Sequence, residues 1–519
     1  MLFNTMQYLL FLIVVVLVYY ICPKRLRHIW LLIASYFFYM QWNAVYIVLL
    51  FLSTLLTYGC ARIIDRIRTL EKSVEVYEKC SRGKQKLCFV LCIIMHLCIL
   101  GFFKYFEFGV NCINHLFAFL HISQISWNIH ILLPVGISFY ILQALGYLID
   151  VYRGNIEAEK DFMKYALFVS FFPQLVAGPI ERSKNLLVQL RNPQKFSYDN
   201  IRKGFLLILY GLFIKMVIAD RAAIIVDTVY KDSVAYPGFY IVVATFFFAI
   251  QIYCDFYGYS TIARGSALLL GIRLMDNFVA PYYSKSVKEF WRRWHVSLSG
   301  WFRDYLYIPL GGNREGKLRK QCNLLLVFGI SGLWHGASLS FLFWGLLNGM
   351  YQVVSDIVVN IRCMIKKRTC LICDSFFAER DRSSIDENLA CCFSKRLLQR
   401  TVTFMMITFA WIFFRADGMH NAYEILVNML CLNNGMIFFD GSLYTLGVAK
   451  NSMNVLLFSI VGLFFVDYHK YHGKDVIGLL LKQQWYFRTL IIMLLVFAIL
   501  LYGCYGELYD VQQFIYFQF

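Results

Sequence analysis

Apolar runs long enough to cross a bilayer recur along the whole chain, separated by short basic connections. The first, Leu9 to Cys22, has no positive charge before it and is followed by Lys24, Arg25 and Arg27. That is the reverse of a cleavable signal, so it is expected to be an uncleaved span with its N-terminus outside. Two further runs, 29–42 and 44–60, form a tight hairpin that returns to the stretch Arg62 to Lys86, which carries eight Lys and Arg residues and belongs on the cytoplasmic side. Later candidates lie near 87–106, 131–150, 203–219, 239–257, 262–275, 322–336, 338–359, 401–414, 452–467 and 487–504. Shorter segments lie near 166–180 and 423–438; the first is interrupted by Pro173, Gly178 and Pro179 and reads as a re-entrant piece lining a protein-walled cavity. The pattern predicts roughly eleven crossings plus several such pieces.

Composition narrows this to an all-α polytopic membrane protein. Residues are 59% hydrophobic, 18% aromatic and only 16% charged, the balance of a chain whose solvent is largely lipid. The 519 residues are therefore read as one membrane domain, with core motifs at about 131–350, and whatever chemistry exists belongs to the membrane body. A net charge of +18 does not imply nucleic acid here, because the Lys and Arg residues sit between apolar spans, where they orient the protein. Lipid is the expected environment, with the basic connections on its cytoplasmic side. Most of the 16 Cys, such as Cys88, Cys92, Cys98 and Cys254, lie singly in apolar segments and act as small hydrophobes. Cys370 and Cys373 with Cys391 and Cys392 approach a zinc spacing, but the second pair is adjacent and does not repeat C-x-x-C, so no metal is expected. The surrounding stretch 360–400, with nine Lys and Arg and five Asp and Glu, reads as an irregular cytosolic excursion.

The densest cluster of chemistry is Phe290 to Arg314. Read as one helix, Trp291, Trp294, Leu298, Trp301 or Phe302, and Tyr305 recur at steps of three and four and form an aromatic face, while Arg292, Arg293 and Arg303 lie elsewhere. That is the pattern of an amphipathic helix at the cytosolic interface, and a plain headgroup anchor would show it too. An anchor has no need of His295 among Ser297 and Ser299. The second feature, Ser331-Gly332-Leu333-Trp334-His335-Gly336-Ala337, puts a histidine between two glycines in an apolar span. Intramembrane ionisable residues are costly and usually functional. A helix rising about 1.5 Å per residue over the 15 residues from Lys320 carries His335 roughly 20 Å from the basic loop. A third, weaker group is Gln251 with Asp255, four apart on one helix face; the carboxylate could orient a histidine, bind an arginine, or be satisfied by tyrosine hydroxyls as bundle glue. No H-E-x-x-H, G-x-x-x-x-G-K-[ST] or G-x-S-x-G motif is present, which weakens zinc-protease, ATPase and serine-hydrolase readings.

Four segments together resemble the membrane-bound O-acyltransferase family, in particular its bacterial branch acting in alginate O-acetylation and teichoic acid D-alanylation. They are Phe172 to Ile180, Phe290 to Gly312, Gly332-Leu333-Trp334-His335-Gly336-Ala337, and the terminal Phe514 to Phe519. The resemblance implies a ring of tilted helices around a thin centre, with a cytosolic funnel. It implies His335 as the intramembrane catalytic histidine and His295 as a second polar residue of the site. From the pattern of residues, Trp291, Arg292, Arg293, Trp294, Ser299, Arg303, Asp304, Trp334, Gln251 and Asp255 are candidates for substrate or donor contact.

On this reading an acyl group, acetyl by preference, moves from a cytosolic thioester such as acetyl-CoA to a hydroxyl arriving from the outer side. No bound cofactor is required. His335 would be the general base, since histidine has a reference pKa near neutrality; His295 would orient the acyl carbonyl, and the arginines could attract donor phosphates or face lipid headgroups. The family also implies a partner, either a separate extracytoplasmic acyltransferase or a small membrane peptide, and a polysaccharide as final acceptor. D-alanyl transfer to an envelope polymer is the nearer alternative, and the chain length favours acetyl. A transporter would bind substrate with the same polar residues, but no half of the chain mirrors the other. A scaffold with structural histidines is the third reading.

Overall fold

The computed structural model describes residues 1–71, 78–126, 132–176, 178–373, 385–432 and 434–505. These residues form helices and loops, with no strand among them. The chain opens with α1 (Met6–Ile21), α2 (Arg27–Met40), α3 (Tyr46–Glu71), α4 (Glu78–Leu100), α5 (Phe106–Phe119) and α6 (Ile137–Tyr152). The short helices α7 (Phe162–Ser170), α8 (Phe172–Leu175) and α9 (Ser183–Arg191) follow, and lead to α10 (Tyr198–Phe213), α11 (Asp220–Lys231) and α12 (Phe239–Leu269). Next are α13 (Val287–Arg293), α14 (Val296–Phe302), α15 (Lys317–His335), α16 (Leu339–Cys373) and α17 (Ile385–Arg415), and then α18 (Gly418–Met429), α19 (Lys450–Tyr471), α20 (Val476–Leu481) and α21 (Trp485–Tyr502).

Local chemistry sets many of the starts. Thr5, Asp161, Ser197, Ser286 and Asp475 each accept a backbone N–H from the first turn of the helix they precede, which satisfies donors that helix geometry leaves open. Seven helical stretches among the described residues are long and apolar enough to cross a membrane, and α1 and α6 are shorter apolar helices. The predicted runs 239–257 and 262–275 prove to be one helix, α12, because nothing between them breaks the 3.6-residue repeat; at 31 residues it is about 46 Å long. It is buried on all sides for most of its length and forms the centre of the molecule, whereas α21 has no buried residue and presents an apolar surface fit for lipid.

Helix pairs approach through glycine. A Cβ on Gly204 or Gly265 would lie 2.9 or 2.7 Å from the other's carbonyl oxygen, and Gly211 and Gly258 repeat the arrangement seven residues along each helix. These contacts bring α10 and α12 backbone to backbone, the packing that small residues permit inside a bilayer. The hairpin of α15 and α16 closes the same way through Gly332 and Gly345.

The stretch expected as an irregular excursion is entered by helix from both sides, since α16 runs on to Cys373 and α17 begins at Ile385. The side chains of Cys370, Cys373, Cys391 and Cys392 and the whole of Phe514 to Phe519 lie outside the described residues.

Candidate active site

The stretch from Phe290 is not one amphipathic helix on the membrane surface. α13 ends at Arg293, and His295 takes the left-handed conformation (φ 44°, ψ 53°) before α14 begins. A non-glycine residue rarely adopts that conformation, and it persists only where its surroundings hold it. Asn277 supplies the hold: its carbonyl accepts the Val296 amide at 3.0 Å and its side-chain oxygen accepts the Ser297 amide at 3.4 Å. The break turns the aromatic face inward. Trp294 is buried against Phe278, Phe290 and Trp411, and Trp291 lies between Phe328 and Trp344 with its indole N–H donated to Asn348 at 3.3 Å. Period alone could not distinguish an aromatic face turned to headgroups from one turned to the core.

His295 and His335 come together although 40 positions apart. Their ring centroids are 6.5 Å apart, and both residues are buried. His295 is held edge-on to Phe256 of α12, with Ser297 Oγ 3.5 Å from its Nδ1. His335 is the last residue of α15, walled by Trp334, Trp344 and Phe414 at centroid distances of 4.9, 5.2 and 5.5 Å. The nearly perpendicular ring contacts leave the imidazole few orientations.

The final turn of α15 accounts for all four carbonyls that a helix end leaves open. Gly332 O accepts from the amide of Gly336, and Leu333 O from the Tyr105 hydroxyl at 2.8 Å. Trp334 O and His335 O both accept from Lys104 Nζ, at 2.6 and 3.0 Å. Lys104 and Tyr105 belong to a π-helical turn, Gly101–Tyr105, that interrupts the passage from α4 to α5. Such turns are frequent at functional sites. A lone lysine inside the apolar run 87–106 is the one sign of this contact in the sequence.

A pocket of about 40 Å³ adjoins this end of α15, lined by His335, Trp334, Lys104, Val176 and the turn from Leu133 to Phe139 that opens α6. Gly136 makes the wall possible: its φ is +75°, and a Cβ there would meet the carbonyl oxygen of Leu175 at 2.7 Å. Of the interrupted segment around Pro173, Val176 reaches the pocket, and α7 and α8 are short buried helices. The pocket lies at the C-terminal ends of α15 and of the π-turn that follows α4, remote from the basic N-terminal stretches of those helices, which carry Lys317, Arg319 and Lys320, and Arg82, Lys84 and Lys86. The arrangement places the His335 imidazole at a small, largely apolar chamber, with His295 behind it, the setting of a base acting on one hydroxyl proton.

The other candidates are distributed around this pair. Trp334 lies 6.2 Å from His295 and lines the pocket. Ser299 donates to the carbonyl of Trp294 at 3.3 Å, a local structural bond. Arg292 is exposed. Arg293 pairs with Glu289 at 3.0 Å and covers the ring of Tyr471. Arg303 is 67% exposed and pairs with Asp304, which also receives Arg182 at 3.0 Å while Arg182 stacks over Tyr305. The structure places these arginines in ion pairs or solvent, away from the histidines' walls. Asp255 pairs with Lys215 at 2.6 Å, and the same ammonium reaches Asp220 at 2.7 Å. Its neighbour Phe256 is the residue that faces His295. Gln251 is buried one turn earlier on α12. Lys215, Asn277 and Asn348 were not anticipated, because their partners are distant in sequence.

Comparison with known proteins settles the family. Residues 156–369 match the profile of the membrane-bound O-acyltransferase family, a span that includes both histidines. The probable alginate O-acetylase AlgI of Pseudomonas syringae pv. tomato is 35% identical over 405 residues, covering 78% of this chain and 70% of that one. The chain belongs to the membrane-bound O-acyltransferase family. Within this family it is also similar to the peptidoglycan O-acetyltransferase of Helicobacter pylori, 33% identical over 431 residues with 78% and 74% covered. The teichoic acid D-alanyltransferase of Bacillus subtilis is more distant, 26% identical over 232 residues with 42% and 57% covered. The protein is thus a multi-pass membrane O-acyltransferase, and Lys104 and Tyr105 lie before the segment the family profile matches.

Proposed function

We propose that this O-acyltransferase moves an acetyl group from a cytosolic thioester, acetyl-CoA, to a hydroxyl presented on the outer side of the membrane, for O-acetylation of an extracytoplasmic polysaccharide. The observation that carries the reading is the 40 Å³ pocket at the inner end of α15, where His335 meets a chamber remote from the basic helix ends. By the positive-inside bias that end faces away from the cytoplasm. Its lining beside His335 and Lys104 is largely apolar, which suits an uncharged acyl group better than the ammonium-bearing D-alanyl group.

His335 acts as general base, taking the acceptor hydroxyl proton as the oxygen attacks the thioester carbonyl; the C–S bond breaks and the proton passes on to the departing thiolate. His295, 6.5 Å away between ring centroids, orients the acyl carbonyl. A separate extracytoplasmic acyltransferase or a small membrane peptide takes the acetyl group before the polymer does. The coverage of acetylating relatives, against the shorter match to the D-alanyltransferase, favours acetyl as well. Membranes supplied with radiolabelled acetyl-CoA test this. Wild type labels partner or polymer, and His335→Ala at matched folded amount loses that label by at least about 10²-fold, within the range general-base catalysis supplies. Full labelling by His335→Ala removes the histidine from the mechanism and promotes transport or scaffolding.

A further inference from the structure

We infer that Lys104 is a positioning residue for His335, locking the end of α15 so that the imidazole keeps one place beside the pocket. The inference rests on the reading of His335 as the base.

His335 ends its helix and is followed at once by Gly336, which has left helical geometry (φ −156°, ψ 146°). A terminal residue normally frays, because the last four carbonyls have no partner in their own helix. Here fraying is opposed from outside α15: Lys104 Nζ bonds the carbonyls of Trp334 and His335, and the Tyr105 hydroxyl bonds that of Leu333. A cation on the last carbonyls also meets the negative end of the helix dipole. Charge-assisted bonds of this kind are about twice as strong as neutral ones.

The source of the lysine matters as much as its bonds. It sits in the π-turn Gly101–Tyr105, where two consecutive side chains both reach the end of α15. Lys104 also lines the pocket and lies 5.9 Å from the ring of Trp334, which packs against both histidines. A cation held half-buried among apolar side chains is costly, and a leucine or methionine would fill the space as well. What the lysine adds is two fixed bonds, one of them to the backbone of His335.

The test compares Lys104→Met and Lys104→Arg with wild type and His335→Ala in the full chain, reconstituted in vesicles and supplied with acetyl-CoA. Lys104→Met is expected to lower kcat about 10²-fold, the size of effect an ångström of misplacement produces, with KM for acetyl-CoA unchanged. Lys104→Arg, whose guanidinium can bridge both carbonyls, restores kcat to within about tenfold of wild type. Should Lys104→Met fail to accumulate folded, Lys104→Gln, which keeps an amide donor without charge, must show the same fall in kcat. Activity within twofold of wild type in Met or Gln, or a loss confined to KM, overturns the inference while leaving His335 as the base. Retained activity in His335→Ala instead overturns the reading beneath it, whatever Lys104 does.

Discussion

Gly345 stands ten residues beyond His335 on the facing helix and touches neither the pocket nor a histidine, yet its replacement by alanine should disable the enzyme. A Cβ at this position would lie 2.3 Å from the carbonyl oxygen of Phe328 and 3.1 Å from the Cα of Gly332, against the 3.4 Å at which ordinary contact begins. The shortfall to the carbonyl is about 1.1 Å. The obstructing atoms are backbone, so the methyl group cannot be accommodated by turning a side chain. The α15–α16 pair must open by most of that distance. Over-packing of a tight contact costs about 1–3 kcal/mol, which a large bundle survives. The displacement itself reaches the site, because Gly332 is three residues from His335 in the same terminal turn. A misplacement near 1 Å can reduce a reaction by about 10²-fold. The assay is acetyl transfer from radiolabelled acetyl-CoA, normalised to folded protein, with Gly462→Ala as control, since a Cβ there meets nothing within 4 Å. Activity of Gly345→Ala equal to the control would refute the argument that this glycine contact sets the position of the turn that carries His335.

Other consequences concern charge. Lys215 is 1% exposed and serves Asp220 and Asp255 at once, so Lys215→Met leaves two buried carboxylates and should cost about 3–5 kcal/mol; detergent-solubilised protein will unfold at a clearly lower temperature, while Asp255→Asn, which keeps one pair, will fall less far. An unchanged melting temperature for Lys215→Met would mean that the triad is not a structural tie. Arg303, by contrast, is 67% exposed; an ion pair of that kind is worth under about 1 kcal/mol. Arg303→Ala should therefore leave both stability and donor KM close to wild type, and a several-fold rise in KM for acetyl-CoA would return it to the donor site.

The pair of histidines was legible from their surroundings alone. A polar imidazole inside an apolar run is expensive, so its presence at 335 already argues for use, and the short glycine-flanked stretch argues for close approach. The break at His295 was not legible. Residues 290–305 have a good helical repeat, and the left-handed turn that ends it depends on Asn277, a loop residue whose side chain replaces the missing helical partners of Val296 and Ser297. Asp255 was recognised as a residue needing a partner, but the partner sits forty positions earlier in a π-turn, Ile214–Ala219, that no local pattern announces.

By itself, then, the amino-acid sequence determined that this is a bundle of apolar helices, which family it resembles and where ionisable groups sit within apolar runs, because hydrophobic period and the cost of burying charge are local properties. Tertiary structure decided which of those groups meet. The 6.5 Å between two rings, the pairing of Lys215 with two carboxylates, and the clasp of Lys104 on the end of α15 all join distant segments. Such contacts depend on how closely helices approach, and that distance is set by glycines whose significance appears only when the facing backbone is known.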